Sequence, residues 1–216
     1  MKKIIAIALT AGLISTLSLA RGGHGHQGHH QNNTQHNTYL NQVVNSTPIA
    51  KLTGQQKEDL IFMYQEEKMA RDVYKTLGDI WGANIFYNIQ NSEQKHMDAI
   101  KSLLEKYSIP VPVIDETGVF ENAELQDLYN QLVEQGKTSL EEAYNVGVLI
   151  EETDIEDLQA KIVGVPDDIN TVYSNLLNGS YHHLNAFNRM LDNLSSQTTG
   201  GNQKGGHGGH GRGGRR

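Results

Sequence analysis

The chain of 216 residues contains no cysteine, four prolines and one tryptophan. Without cysteine there is no disulfide framework, and no lipid anchor on a mature N-terminal cysteine. Alternating β-branched runs are missing too, which leaves a sheet scaffold without support. Also absent are a nucleophilic triad, a phosphate-cradling loop and a dinucleotide fingerprint. Positive charge is scarce where negative charge is dense. All 25 acidic residues lie between Glu58 and Asp192, and residues 51–194 set eleven lysines and arginines against them, a net of −14. Such a domain repels nucleic acid and suits cations, although surface glutamates also serve plain solubility.

A long apolar run occurs at residues 4–19, behind Lys2 and Lys3. Ser18-Leu19-Ala20 closes it with the small residues that a signal peptidase reads, so residues 1–20 are expected to be a signal peptide cleaved after Ala20. The run is short, and diluted by small and hydroxyl residues, for a span that needs ~20 apolar residues. The expectation is a periplasmic or secreted protein with no stable membrane insertion. Residues 21–50 are rich in His, Gly, Gln and Asn, and residues 195–216 in Gly, His and Arg. Neither composition buries enough apolar surface to offset its ordering entropy, so both are expected to be disordered. They hold seven of the ten histidines: His24, His26, His29, His30, His36, His207 and His210. That spacing suits loose binding of soft or borderline ions, or a plain soluble linker.

Residues 51–194 read as helix almost throughout. Thr53-x-x-Gln56 is a capping box, and the stripe from Leu60 to Leu77 keeps helical spacing up to Gly78 or Gly82. A second long helix runs from about Asn84 to Tyr107, where Pro110 stops it. Ser139-x-x-Glu142 opens a third, ending near Gly164, and Pro166-Asp167-Asp168 opens a fourth. The links between helices one and two and between three and four are short. The middle link, with room for one short helix over Asn122–Glu134, is long enough to cross a helix ~36 Å in length. The predicted fold is all-α: a ferritin-like four-helix bundle with one long crossover between helices 2 and 3.

In carboxylate di-metal bundles, two helices give one Glu each and two give Glu-x-x-His, whose i, i+3 spacing puts both side chains on one face. Helix two contains Glu93-Gln94-Lys95-His96 within an apolar stripe. Helix one offers Glu66-Glu67, with Glu67 one turn from Tyr64, Ala70 and Tyr74, and Glu66 beside Met63 and Ala70. On helix three, Glu151 fills a gap in the stripe of Val148, Ile155, Leu158 and Ile162, and Asp154 follows at i+3. A carboxylate there is costly unless a cation compensates it. On helix four His183 continues the stripe of Leu176 and Phe187, His182 lies off it, and Ser180 stands where the template wants Glu. The candidate metal ligands are therefore Glu67, Glu93, His96, Glu151 and His183, with Glu66 and Asp154 weaker. Glu93 and Glu151 are the bridging candidates, and a single ion in a partly open site is equally consistent. Carboxylates with imidazoles suit iron or manganese, and zinc is compatible.

The segments Glu66–Tyr74, Ser92–Met97, Leu149–Glu152 and Leu177–Phe187 together resemble the ferritin-like bacterial and archaeal family called domain of unknown function 2202, over about residues 52–192. Helix one is also similar to the rubrerythrin pattern Glu-x-x-Ala-Arg-x-x-Tyr, which aligns Glu67 with a ligand and favours it over Glu66. The resemblance implies a ferritin-like fold and di-metal chemistry without fixing an activity. Three roles follow as expectations: an exported di-iron or di-manganese oxidoreductase, a metal-sequestration protein loaded through its His-rich ends, or a metal-free bundle whose inward acids pair with Arg71 or lysines. Nothing in the pattern fixes an oligomeric state.

Overall fold

Thr53 caps its helix in both directions: its hydroxyl accepts from the Gln56 amide, and the Gln56 side chain accepts from the Thr53 amide. The computed structural model, which describes residues 33–200, is all-helical over that range. Its elements are α1 (Asn33–Ser46), α2 (Gly54–Trp81), α3 (Asn84–Lys106), α4 (Ala123–Gly136), α5 (Leu140–Lys161) and α6 (Asp167–Gly200).

Chain reversals occur where the sequence supplies them. Gly82 ends α2 in the left-handed region (φ 64°), its amide donating to the Gly78 carbonyl. Two residues later α3 begins, and it packs back along α2. Gly164 (φ 73°) and Pro166 turn α5 into α6 in the same manner. The long helices close a ring in the order α2, α3, α6, α5. Residues 107–139 form the long crossover and carry α4, which packs on both α2 and α5. Asp72 holds this crossover to α2: it accepts from Lys68, Arg71 and the Gly118 amide, while Lys68 also donates to the Glu116 and Val119 carbonyls.

Two boundaries differ from expectation. Residues 33–46, inside the segment predicted to lack structure, form α1, which packs against α3 and α6. Leu40 and Val44 are buried one turn apart in the core, and Lys106 donates to the Val44 and Thr47 carbonyls. Polar neighbours dilute this short stripe, and the ties that hold α1 come from a lysine sixty residues away in sequence. At the other end, α6 continues past residue 194 to Gly200. Residues 1–32 and 201–216, with the expected signal peptide and all the end-segment histidines except His36, lie outside the described residues. No helix among the described residues is long and apolar enough to cross a membrane.

The core has two apolar blocks. One gathers Leu60 and Met63 of α2, Leu103 and Leu104 of α3, Leu158 of α5 and Val172 of α6. The other gathers Val73 and Leu77 of α2, Phe86 of α3, Val146 of α5 and Phe187 of α6. On every long helix, buried polar residues lie between its two contributions: Glu66 and Glu67, Glu93 and His96, Glu151 and Asp154, Ser180 and His183.

Candidate metal centre

This polar level results from helical register. One turn of each long helix faces inward with acid or imidazole where its neighbouring turns present aliphatic or aromatic groups. Glu67, Glu93 and Glu151 are each 2% exposed, and His96 and His183 are nearly as deeply buried. His96 Nδ1 lies 2.8 Å from Glu93 Oε2 and 3.2 Å from Glu67 Oε2. His183 Nδ1 lies 2.9 Å from Glu93 Oε1 and 3.4 Å from Glu151 Oε2. The two rings are 5.6 Å apart and nearly parallel. Two triads result, Glu67–Glu93–His96 and Glu93–Glu151–His183, and in each the potential ligand atoms lie within 4.8 Å of one another. Glu93 belongs to both, giving one oxygen to each side.

The fit to a metal ion can be tested on the donors themselves. Glu67 Oε1, Glu93 Oε1 and His183 Nδ1 are buried without a hydrogen bond. The close approach of Glu93 Oε1 to His183 Nδ1 is therefore an ion-pair distance without hydrogen-bond direction. Buried polar atoms are ordinarily paired, and three orphans within two interlocked triads are donors that a bound cation would satisfy. Three carboxylates and two imidazoles form a donor set of the kind iron and manganese take. The residues fit the group.

Charge in the metal-free protein is organised around Glu93. Burial works against its ionised form, yet the His183 and His96 imidazolium groups hold its carboxyl well below the usual range. Burial also works against a charged His183, but Glu93 and Glu151 outweigh it and raise that ring to about 10. His96 is raised in the same way, by Glu67 and Glu93. Glu67 is pushed up to about 8 by burial, against the pull of His96. Glu151 is raised by burial and by the neighbouring Glu93 charge. Two ring protons thus supply the positive charge that compensates the buried carboxylates.

Arg71 and Lys68 do not serve this purpose. Both pair with Asp72, and Arg71 also reaches Asp115. Of the cations that a metal-free reading would call on, Lys161 pairs with Asp157 at the edge of the level, whereas none among the described residues reaches the two triads.

The five principal candidates are brought together, with the shared position at Glu93, while Glu151 lies in one triad. Glu66 and Asp154 are buried at the same level but belong to neither triad. Ser180, where the template expects an acid, is completely buried and its hydroxyl bonds to Asp154 and the Leu176 carbonyl. His182 is exposed, as its place off the stripe required.

Two supporting residues went unrecognised in sequence. Tyr74 donates from its hydroxyl to Glu151 Oε1 at 2.6 Å; a hydroxyl seven residues after Glu67 on the same buried stripe was the available signal. Gly179 lets His96 lie against α6, since a Cβ there would sit 2.7 Å from His96 Nε2. That requirement spans two helices and leaves no local mark.

The family described as "Uncharacterized protein domain (DUF2202)" matches residues 56–200. An uncharacterized protein of Methanocaldococcus jannaschii is 49% identical over 160 residues, covering 73% of this chain and 86% of that protein. A crystal structure of a hypothetical protein from Methanococcus jannaschii superposes with a TM-score of 0.68 at 50% identity, covering 69% of this chain and 87% of the other. Neither description states an activity.

Proposed function

The chain belongs to the DUF2202 family, and we propose that it is an exported ferritin-like protein that holds two metal ions, iron or manganese, between Glu67–Glu93–His96 and Glu93–Glu151–His183. The observation that carries this reading is the shared Glu93, flanked by two histidines and two further carboxylates, with orphaned buried acceptors on both sides. The connectivity supports the ferritin-like description: a ring of four long helices with one long crossover, and ligands drawn from the middle of each.

Glu93 would bridge, and Glu67, His96, Glu151 and His183 would be terminal ligands. A bound pair of such ions supplies one-electron redox steps that amino-acid side chains cannot. The chain contributes orientation. Tyr74 fixes one Glu151 oxygen, Gly179 admits the His96 ring, and apolar blocks pack above and below the level. Five protein ligands for two ions leave coordination positions free for a small substrate. We further propose that residues 1–20 export the protein, so that it works in the periplasm or outside the cell.

The test is metal quantification on protein purified without an affinity tag, beside Glu93→Ala and His96→Ala. Two iron or manganese ions per chain that survive dialysis, and are lost in Glu93→Ala, are expected. Equal metal content in all three proteins would refute the site. Oxygen or peroxide consumption by the loaded protein separates an oxidoreductase from a sequestration protein, which would be inert.

A further inference from the structure

Beyond the paired triads, a second group of acids lies along the seam between α2 and α5. Glu66 on α2 is 4% exposed and Asp154 on α5 is 6% exposed. Asp157 follows Asp154 by three residues, one turn further along the same face of α5, and its charge is among those that act on Glu66. Glu66 Oε2, Asp154 Oδ1 and Asp157 Oδ2 are all buried with no hydrogen-bond partner. Carboxylates are acceptors alone when ionised, so these three oxygens, left over after Ser180 bonds Asp154 and Lys161 pairs with Asp157, are the donors a cation would satisfy.

Glu66 and Asp154 also line a cleft, partly open to solvent, whose walls include Glu67, Glu93 and Glu151 of the triads. These two acids therefore share one space with the centre, and Asp157 follows one turn further along α5. At the outer edge the Lys161 ammonium lies 2.5 Å from Asp157, on a flexible stem that can swing toward water.

We propose that Glu66, Asp154 and Asp157 form an auxiliary site for a hard divalent cation, separate from the paired centre and lying on the route into it. Its donors are all oxygen, the set that manganese, magnesium and calcium take. The three oxygens do not converge within 4.8 Å as the triads do, so the ion keeps several waters and binds more weakly than at the centre. Lys161 marks the rim: its ammonium neutralises Asp157 in the metal-free protein and turns outward when an ion enters.

The experiment is equilibrium dialysis of the full chain against Mn²⁺, comparing wild type with Glu66→Gln, Asp157→Asn and Glu93→Gln. Circular dichroism and urea melts establish that each variant is folded. The amide substitutions keep size and hydrogen bonding while removing charge, and the histidine-rich ends are common to all four proteins, so they cancel in the differences. The expected result is one Mn²⁺ per chain fewer in Glu66→Gln and in Asp157→Asn, lost from the weaker class, with the tighter class retained. Loss in Glu93→Gln alone would overturn this inference and leave the paired centre standing. Loss in the Glu66 and Asp157 variants alone would do the reverse. Equal uptake by all four would overturn both.

Discussion

The two ring protons around Glu93 predict opposite responses to pH for the metal-free and metal-loaded protein. An ordinary histidine titrates near 6.5, whereas His183 in the fold is raised to about 10 by Glu93 and Glu151, against burial. Between those values the folded chain holds a proton that the unfolded chain has released. Its stabilisation is complete below pH 6.5 and is lost as pH rises toward 10. One such proton costs about 1.4 kcal/mol per pH unit, or about 3 kcal/mol between pH 7 and 9. Glu67 acts in the same direction. Burial raises it to about 8 from 4.5, so its neutral form is comfortable at low pH and its ionisation weakens the fold as pH approaches 8. Metal reverses the trend, because its ligands must be deprotonated and affinity rises with pH. The assay is urea unfolding at pH 7 and pH 9 in constant salt, on chelator-treated protein and on protein in excess Mn²⁺. The metal-free form should lose at least ~3 kcal/mol, a large share of a domain's usual ~5–15 kcal/mol, and the loaded form should hold level or gain. His183→Gln should flatten the metal-free slope by one proton's worth. A metal-free protein equally stable or more stable at pH 9 would refute the account.

Three further outcomes follow from the same geometry. Tyr74→Phe leaves a buried Glu151 oxygen without its donor and should cost about 1–3 kcal/mol in urea melts of the metal-free protein; no loss would mean that the bond is idle. Gly179→Ala puts a methyl group 2.7 Å from His96 Nε2, and Gly147→Ala puts one 2.5 Å from the Phe187 ring. Both should lower stability by about 1–3 kcal/mol, but metal retained after dialysis should fall with Gly179→Ala and not with Gly147→Ala. Phe187→Ala empties the centre of the cluster shared with Tyr74, Phe86 and Tyr144 and should cost about 3–5 kcal/mol by thermal or urea melts.

The helices were legible because their signals are local. Thr53-x-x-Gln56, Gly82 and Ser139 act within one turn of themselves, and the structure places caps at all three. Glu93, His96, Glu151 and His183 were legible for a related reason: an ionisable residue interrupting an apolar stripe must face the core. Which of the two bridging candidates, Glu93 or Glu151, is the shared one was not, since that depends on axial offsets that no single helix encodes. Glu66 and Glu67 show the limit most clearly. Both are buried and adjacent, and their separation into different clusters is set by α5, nearly ninety residues away. α1 was missed because two buried residues in a polar stretch leave too faint a period, and its anchor, Lys106, looks like any exposed lysine at a helix end.

The buried belt of acids and imidazoles has a mechanical consequence. It divides each long helix into two lengths that answer to different hydrophobic neighbours, joined across a zone where ring protons and the Tyr74 and Ser180 hydroxyls hold the acids together. An ion seated there would act as a rivet at the waist of the bundle. Loading and unloading would then be felt at both ends of the molecule, including the end where α1 is tethered.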